Sequence, residues 1–151
     1  MNPLIETFLI SMVPVIELRG AIPFALARGV PVIPAVCAAM LGNLLPVPFI
    51  LLFIRKILEW MKKRGGRLRK IARWVERHGA KRTTKVQNAV FWGLVAFVGV
   101  PLPGTGAWTG SLIAAMLELS LRRALPAIAL GVLLAGVAVG LATTGVLTVL
   151  A

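Results

Sequence analysis

The chain is short of nearly every group that enzymes use. Its 151 residues include one cysteine, Cys37, one histidine, His78, and five acidic side chains. A lone cysteine excludes an intrachain disulfide, and one cysteine with one histidine cannot build a Cys/His metal cluster. Neither a Walker loop nor a nucleophile elbow occurs. With no nucleophile–base pair in the sequence, no enzyme activity and no cofactor are expected. Charge is scarce as well, at 15% of residues against 58% hydrophobic, and the mean hydropathy is strongly positive. No soluble domain of this size needs so much apolar surface.

Uncharged windows run over Gly29–Ile54, Val86–Leu117 and Ala124–Ala151. Each exceeds the roughly 20 apolar residues that cross a hydrocarbon core of about 30 Å. An all-α integral membrane protein, multi-pass in the cell membrane, is therefore expected. A signal peptide is not, because the first residues lack a basic start and Glu6, Glu17 and Arg19 interrupt the apolar run.

The net charge of +12 is concentrated: thirteen of the seventeen Lys and Arg residues lie between Arg55 and Lys85. Flanked by apolar windows, that segment reads as a cytoplasmic linker under the positive-inside rule, with Arg122 and Arg123 marking the same side. Within it Leu68, Ile71, Ala72 and Val75 follow helical spacing. Arg67, Lys70, Arg73, Trp74 and Arg77 would then meet anionic headgroups as a surface helix, set off from the preceding span by Gly65-Gly66. Nucleic acid is not an expected partner, since no groove-reading module or stacking platform accompanies the charge.

The segment "GVPLPGTGAWTG", residues 99–110, places four glycines and two prolines inside an uncharged run. Glycine costs about 1 kcal/mol and proline about 3 relative to alanine in a helix interior, so the run must break there. It follows a cytoplasmic linker and precedes a cytoplasmic arginine pair, so it must enter and leave on one side, as a re-entrant hairpin with a second arm starting near Ala107. Such a tip is tolerated at depth only where protein or a wet cavity surrounds it. "MVPVIELRGAIP", residues 12–23, aligns with it, Pro14 opposite Pro101, Glu17 opposite Gly104 and Arg19 opposite Gly106. Further on, Gly42 stands opposite Gly131 after a two-residue shift. The reading is an inverted repeat of re-entrant hairpin plus long transmembrane helix: hairpin 1–30, span 31–57, basic linker 58–85, hairpin 86–119, span 122–150. Inverted repeats with interrupted segments point to a secondary transporter.

"PVIELRGAIPFAL" and "GVPLPGTGAWTGSLIA" together resemble the putative small multidrug export protein family over nearly the whole chain. That family is similar in turn to the DedA (VTT-domain) superfamily. The resemblance implies a transporter-like membrane protein with two inverted hairpins and leaves its substrate open; proton-linked transport and translocation of lipid-carrier phosphates or phospholipids are proposals made for the wider superfamily, whose acid and arginine motifs Glu17 and Arg19 match loosely.

Intramembrane ionisable residues are functional candidates by default. Glu17 is expected to carry a proton, and Arg19 to hold an anionic group with its planar donor fork; the bland alternative is a pair that only fixes the tip. Pro14, Pro23, Pro101 and Pro103 shape the tips. Gly104, Thr105 and Gly106 offer backbone amides and a hydroxyl at the start of a helix, suited to an anionic headgroup. Trp108 is read as gate or packing ring, and Asn43 as cavity ligand or interhelical hydrogen-bond former. Two broken tips need shielding, which favours a homodimer through the small face Gly131, Ala135, Gly136 and Gly140. Three functions stay open: a proton-coupled transporter or flippase of an amphipathic anion such as a lipid-carrier phosphate or phospholipid, a small exporter of lipophilic cations, and a non-transport remodelling or assembly protein.

Overall fold

A computed structural model describes residues 1–78 and 84–151, the side chains of Val75, Glu76 and His78 excepted. Among the described residues the chain forms eight helices and no strand: α1 Pro3–Ser11, α2 Glu17–Ala27, α3 Val32–Leu44, α4 Pro46–Arg64, α5 Gly66–His78, α6 Thr84–Gly99, α7 Ala107–Met116 and α8 Leu121–Leu150. Residues 79–83 of the expected linker lie outside the described residues.

Local chemistry sets most boundaries. Asn2 caps α1 by accepting the Leu4 N–H at 2.9 Å, with Pro3 in the first turn where a missing N–H costs nothing. Leu45 keeps helical dihedrals, φ −57° and ψ −45°, so α3 and α4 run on as one rod. Pro46 and Pro48 remove ladder donors just there, which accounts for the boundary at Leu45. That rod, Val32–Arg64, runs 33 residues, about 50 Å at 1.5 Å per residue. It passes the expected end at 57 because nothing breaks the helix before Gly65, whose φ of +73° ends it. The first turns of the supposed linker are thus helix. Among the described residues, this rod and α8, 30 residues long, are the two helices long and apolar enough to cross a membrane.

The remaining apolar helices form two helix–break–helix units, α1–α2 and α6–α7. An ion pair of 3.8 Å between Arg28 and Glu6 brings the end of α2 back to the start of α1. In the second unit Arg123, at the start of α8, donates to Asn88 near the start of α6 at 3.1 Å. Lys62 on α4 pairs with Glu118 just after α7 at 3.7 Å, and Arg55 donates to the Leu119 carbonyl. Both ends of the second unit therefore sit with the basic end of α4.

Close packing is built on glycine. α1 lies on α3 and α6 on α8. A Cβ on Gly42 would stand 2.1 Å from Ser11 Oγ and 2.2 Å from the Phe8 carbonyl oxygen, and one on Gly131 would stand 2.5 Å from Val98 Cβ. In a bilayer, where lipid tails are as apolar as leucine, such backbone proximity is what makes helices associate. Leu18, Ile22, Leu51, Ile128 and Val132 fill the core between the units and the long helices. The small face of α8, expected to join two copies, is used inside the chain instead. Gly131 takes Val98, Gly136 takes Met40 and Val36, and Gly140 takes Val36, while Ala135 is buried. A β-branched or thioether side chain from the same chain fills each gap, so that stripe offers nothing to a second copy.

Candidate functional site

The two breaks meet. Residues 12–16 turn the chain between α1 and α2, and residues 100–106 turn it between α6 and α7. In the second break Pro103 and Gly104 occupy the centre of a turn closed by the Thr105 N–H on the Leu102 carbonyl at 3.3 Å. Gly104, at φ +81°, supplies the left-handed conformation that this turn requires. Helix α7 then starts at Ala107, with Gly106 as a cap that carries no side chain to receive the orphan amides.

Glu17 supplies what Gly106 lacks. Its Oε1 accepts the Trp108 N–H at 3.3 Å, so the carboxylate of one tip caps the helix of the other. A negative group at a helix N-terminus is favoured by both the unpaired amides and the dipole. Gly106 permits this approach: a Cβ there would lie 2.0 Å from Glu17 Oε2. Glu17 is 4% exposed and adopts φ +50°, a left-handed conformation for a non-glycine residue. That conformation costs of order 1–2 kcal/mol and clusters at functional sites.

Arg19 ties the same junction from the other side. Its Nη1 donates to Glu17 Oε2 at 2.7 Å, and its Nη2 reaches the Val100 carbonyl at 3.1 Å, Thr105 Oγ1 at 3.1 Å and the Val98 carbonyl at 3.5 Å. Thr105 in turn donates its hydroxyl toward the Val100 and Leu102 carbonyls, each at 2.8 Å. The guanidinium thus neutralises the carboxylate and satisfies carbonyls that the broken backbone leaves open. Its Nε is buried and meets no protein acceptor. Trp108 closes the contact by donating its indole N–H to the Met12 carbonyl at 3.2 Å.

Of the sequence candidates, Glu17, Arg19, Thr105, Gly106 and Trp108 converge. Pro14, Pro101, Pro103 and Gly104 are exposed at the turns and shape them without touching the pair. Pro23 lies inside α2, beyond the first break, because that break ends at Ile16 rather than reaching residue 23. Asn43 is buried in α3, and neither atom of its amide has a protein partner. Arg67, Lys70, Arg73, Trp74 and Arg77 lie exposed on α5, with Leu68 and Ile71 exposed among them and Ala72 buried. The carbonyls of Met12, Val98 and Val100 are functional parts that residue type could not reveal, since any residue carries one. Beside the junction, Met12 and Trp108 form the inner end of an apolar groove of about 680 Å³, running along α4 past Phe49 and Phe53 to Lys56. That volume falls in the range of small-molecule sites.

Two short helices, α2 and α7, point their N-terminal ends at this junction. Their 11 and 10 residues correspond to about 16 and 15 Å, together about one hydrocarbon thickness. The profile of a family described as "Putative small multi-drug export protein" matches residues 17–138, which include both halves of the junction. No curated protein and no solved structure matches the chain.

Proposed function

The chain belongs to that small multi-drug export protein family, whose name and two long apolar helices make it a membrane protein, and from this premise we propose that it is a secondary transporter of an amphipathic anion. The two helix–break–helix units are half-deep re-entrant hairpins entering from opposite leaflets. Three features support this. The ends of each unit return to one end of the bundle. Helices α2 and α7 together match one hydrocarbon thickness. The equivalent crossings Gly42–Ser11 and Gly131–Val98 fall at positions paired by the internal alignment, as an inverted repeat requires.

The observation that carries the reading is the junction itself: an arginine fork and the N-terminus of α7, both already engaged on a carboxylate, beside an apolar groove open along α4. Those donors suit a phosphate-like headgroup and the groove suits its hydrocarbon tail. Lipid-carrier phosphates and phospholipids have that chemistry. The family's description favours a second reading, export of lipophilic cations with Glu17 as their site. Arg19 weighs against it, because a guanidinium at 2.7 Å from the only buried acid among the described residues repels an incoming cation.

Reconstituted proteoliposomes under an imposed pH gradient test the choice, with a fluorescent phosphatidylglycerol and a lipophilic cation as alternative cargo. Movement of the anionic lipid, abolished by Arg19→Ala, is expected. Transport of the cation alone, or anion movement indifferent to Arg19→Ala, would overturn the reading.

A further inference from the structure

The donors that hold Glu17 are the donors an anionic headgroup needs. Arg19 Nη1 and the Trp108 N–H both end on its carboxylate, at 2.7 and 3.3 Å. The space is filled as well: the position of a Cβ on Gly106 would fall 2.0 Å from Oε2 and 2.7 Å from Oε1. A second anion therefore has no room and finds both of these donors taken while the carboxylate stays, only the buried Arg19 Nε being without a protein acceptor, and two like charges in one low-dielectric site are strongly disfavoured. Among the described residues Arg19 is the only charged group facing Glu17. From the other elements the junction receives the Met12, Val98 and Val100 carbonyls, the Thr105 hydroxyl and the Trp108 indole. The acid of α1, Glu6, is paired with Arg28, and Arg123 of α8 lies by Asn88.

We propose that Glu17 is a built-in competitor of the substrate, so that a headgroup enters only after Glu17 has taken a proton, and one proton and one anion load together and cross in the same direction. The proton comes from water, forms the neutral acid at a Glu17 oxygen, and frees Arg19 Nη1 and the Trp108 N–H. On release of the anion the neutral acid loses that proton to water, and the carboxylate so formed reclaims both donors. The left-handed backbone at Glu17 favours this exchange, because releasing the tip relieves its conformation. The proposal rests on the anion reading above and adds its coupling and direction.

The test is binding of dihexanoyl phosphatidylglycerol to the detergent-solubilised full chain by titration calorimetry. This phosphodiester keeps one negative charge over the range scanned, about pH 5 to pH 8, and dihexanoyl phosphatidylcholine, a zwitterion of zero net charge, serves as the control. Affinity should rise about tenfold per unit fall in pH where Glu17 is ionised. Buffers of different ionisation heat should report about one proton taken up per anion bound, by linkage. Glu17→Gln should bind at every pH without that slope, and Arg19→Ala should bind weakly throughout. A flat profile in the wild type, or release of protons, overturns the coupling while leaving the anion reading intact. Failure of the wild type to bind the probe at any pH, or binding untouched by Arg19→Ala, overturns both.

Discussion

Replacing Gly106 by alanine adds one methyl group and removes no charge, yet it should open the junction. The new carbon would lie 2.0 Å from Glu17 Oε2 and 2.7 Å from both Cδ and Oε1, so the carboxylate must retreat by more than 1 Å to reach ordinary contact. Its hydrogen bond to the Trp108 N–H, already 3.3 Å long, is then lost and the 2.7 Å pair with Arg19 is disturbed. Overpacking costs about 1–3 kcal/mol and breaking a buried ion pair about 3–5. Because the pair is strained rather than deleted, a loss near 3 kcal/mol is expected, more than a hundredfold in the folding equilibrium. For a chain of this size that is about 6–12 °C in melting temperature, read by tryptophan fluorescence in detergent. The backbone of Gly106 itself is extended, φ 161°, so alanine meets no conformational penalty there and the whole effect is steric. Gly104→Ala is the contrast: its space is open but its φ is +81°, giving only the ~1 kcal/mol of a left-handed alanine. In a Glu17→Ala background the clash has no partner, and Gly106→Ala should cost under about 0.5 kcal/mol. Equal costs in the two backgrounds would refute the contact.

Gly42→Ala drives a methyl to 2.2 Å from the Phe8 carbonyl oxygen, a backbone atom that cannot swing away, and should lower stability by more than about 2 kcal/mol. Gly145→Ala, with nothing within 4 Å, should raise it by up to about 1 kcal/mol through helix propensity alone; melting curves of the two variants should move in opposite directions. After Cys37, which is exposed, is replaced by serine, single cysteines at Asn88 and Ser120 should label from the same face of the membrane. Labelling from opposite faces would remove the hairpin. Neutralising Arg67, Lys70, Arg73 and Arg77 to glutamine should weaken the hold of α5 on anionic bilayers by about 1 kcal/mol per charge. A nitroxide at Ile71, exposed on that helix, should then shift from lipid to water accessibility, and no shift would mean that α5 does not lie on the membrane.

Several features of this chain are local, and the sequence by itself determined them. Apolar runs and charge-free windows located the long helices. The proline and glycine of residues 101–106 forced a break because a helix tolerates neither, and α7 begins at Ala107, where that chemistry ends. Helical spacing placed the basic stripe on α5, and two ionised groups in an apolar run marked Glu17 and Arg19 as the residues to examine. Packing decided the rest. Arg19 and Thr105 lie 86 positions apart, Glu17 and Trp108 91 apart, and no local pattern says that a carboxylate on one turn will cap a helix on another. The partners of Arg19 on the second tip include backbone carbonyls, which every residue type possesses, so they leave no trace in composition. The glycines of α8 read as a surface for a second copy only until the Val98, Met40 and Val36 side chains of the same chain are seen filling them. A small-residue stripe announces close approach, but the identity of what approaches depends on which helices the tertiary fold brings alongside.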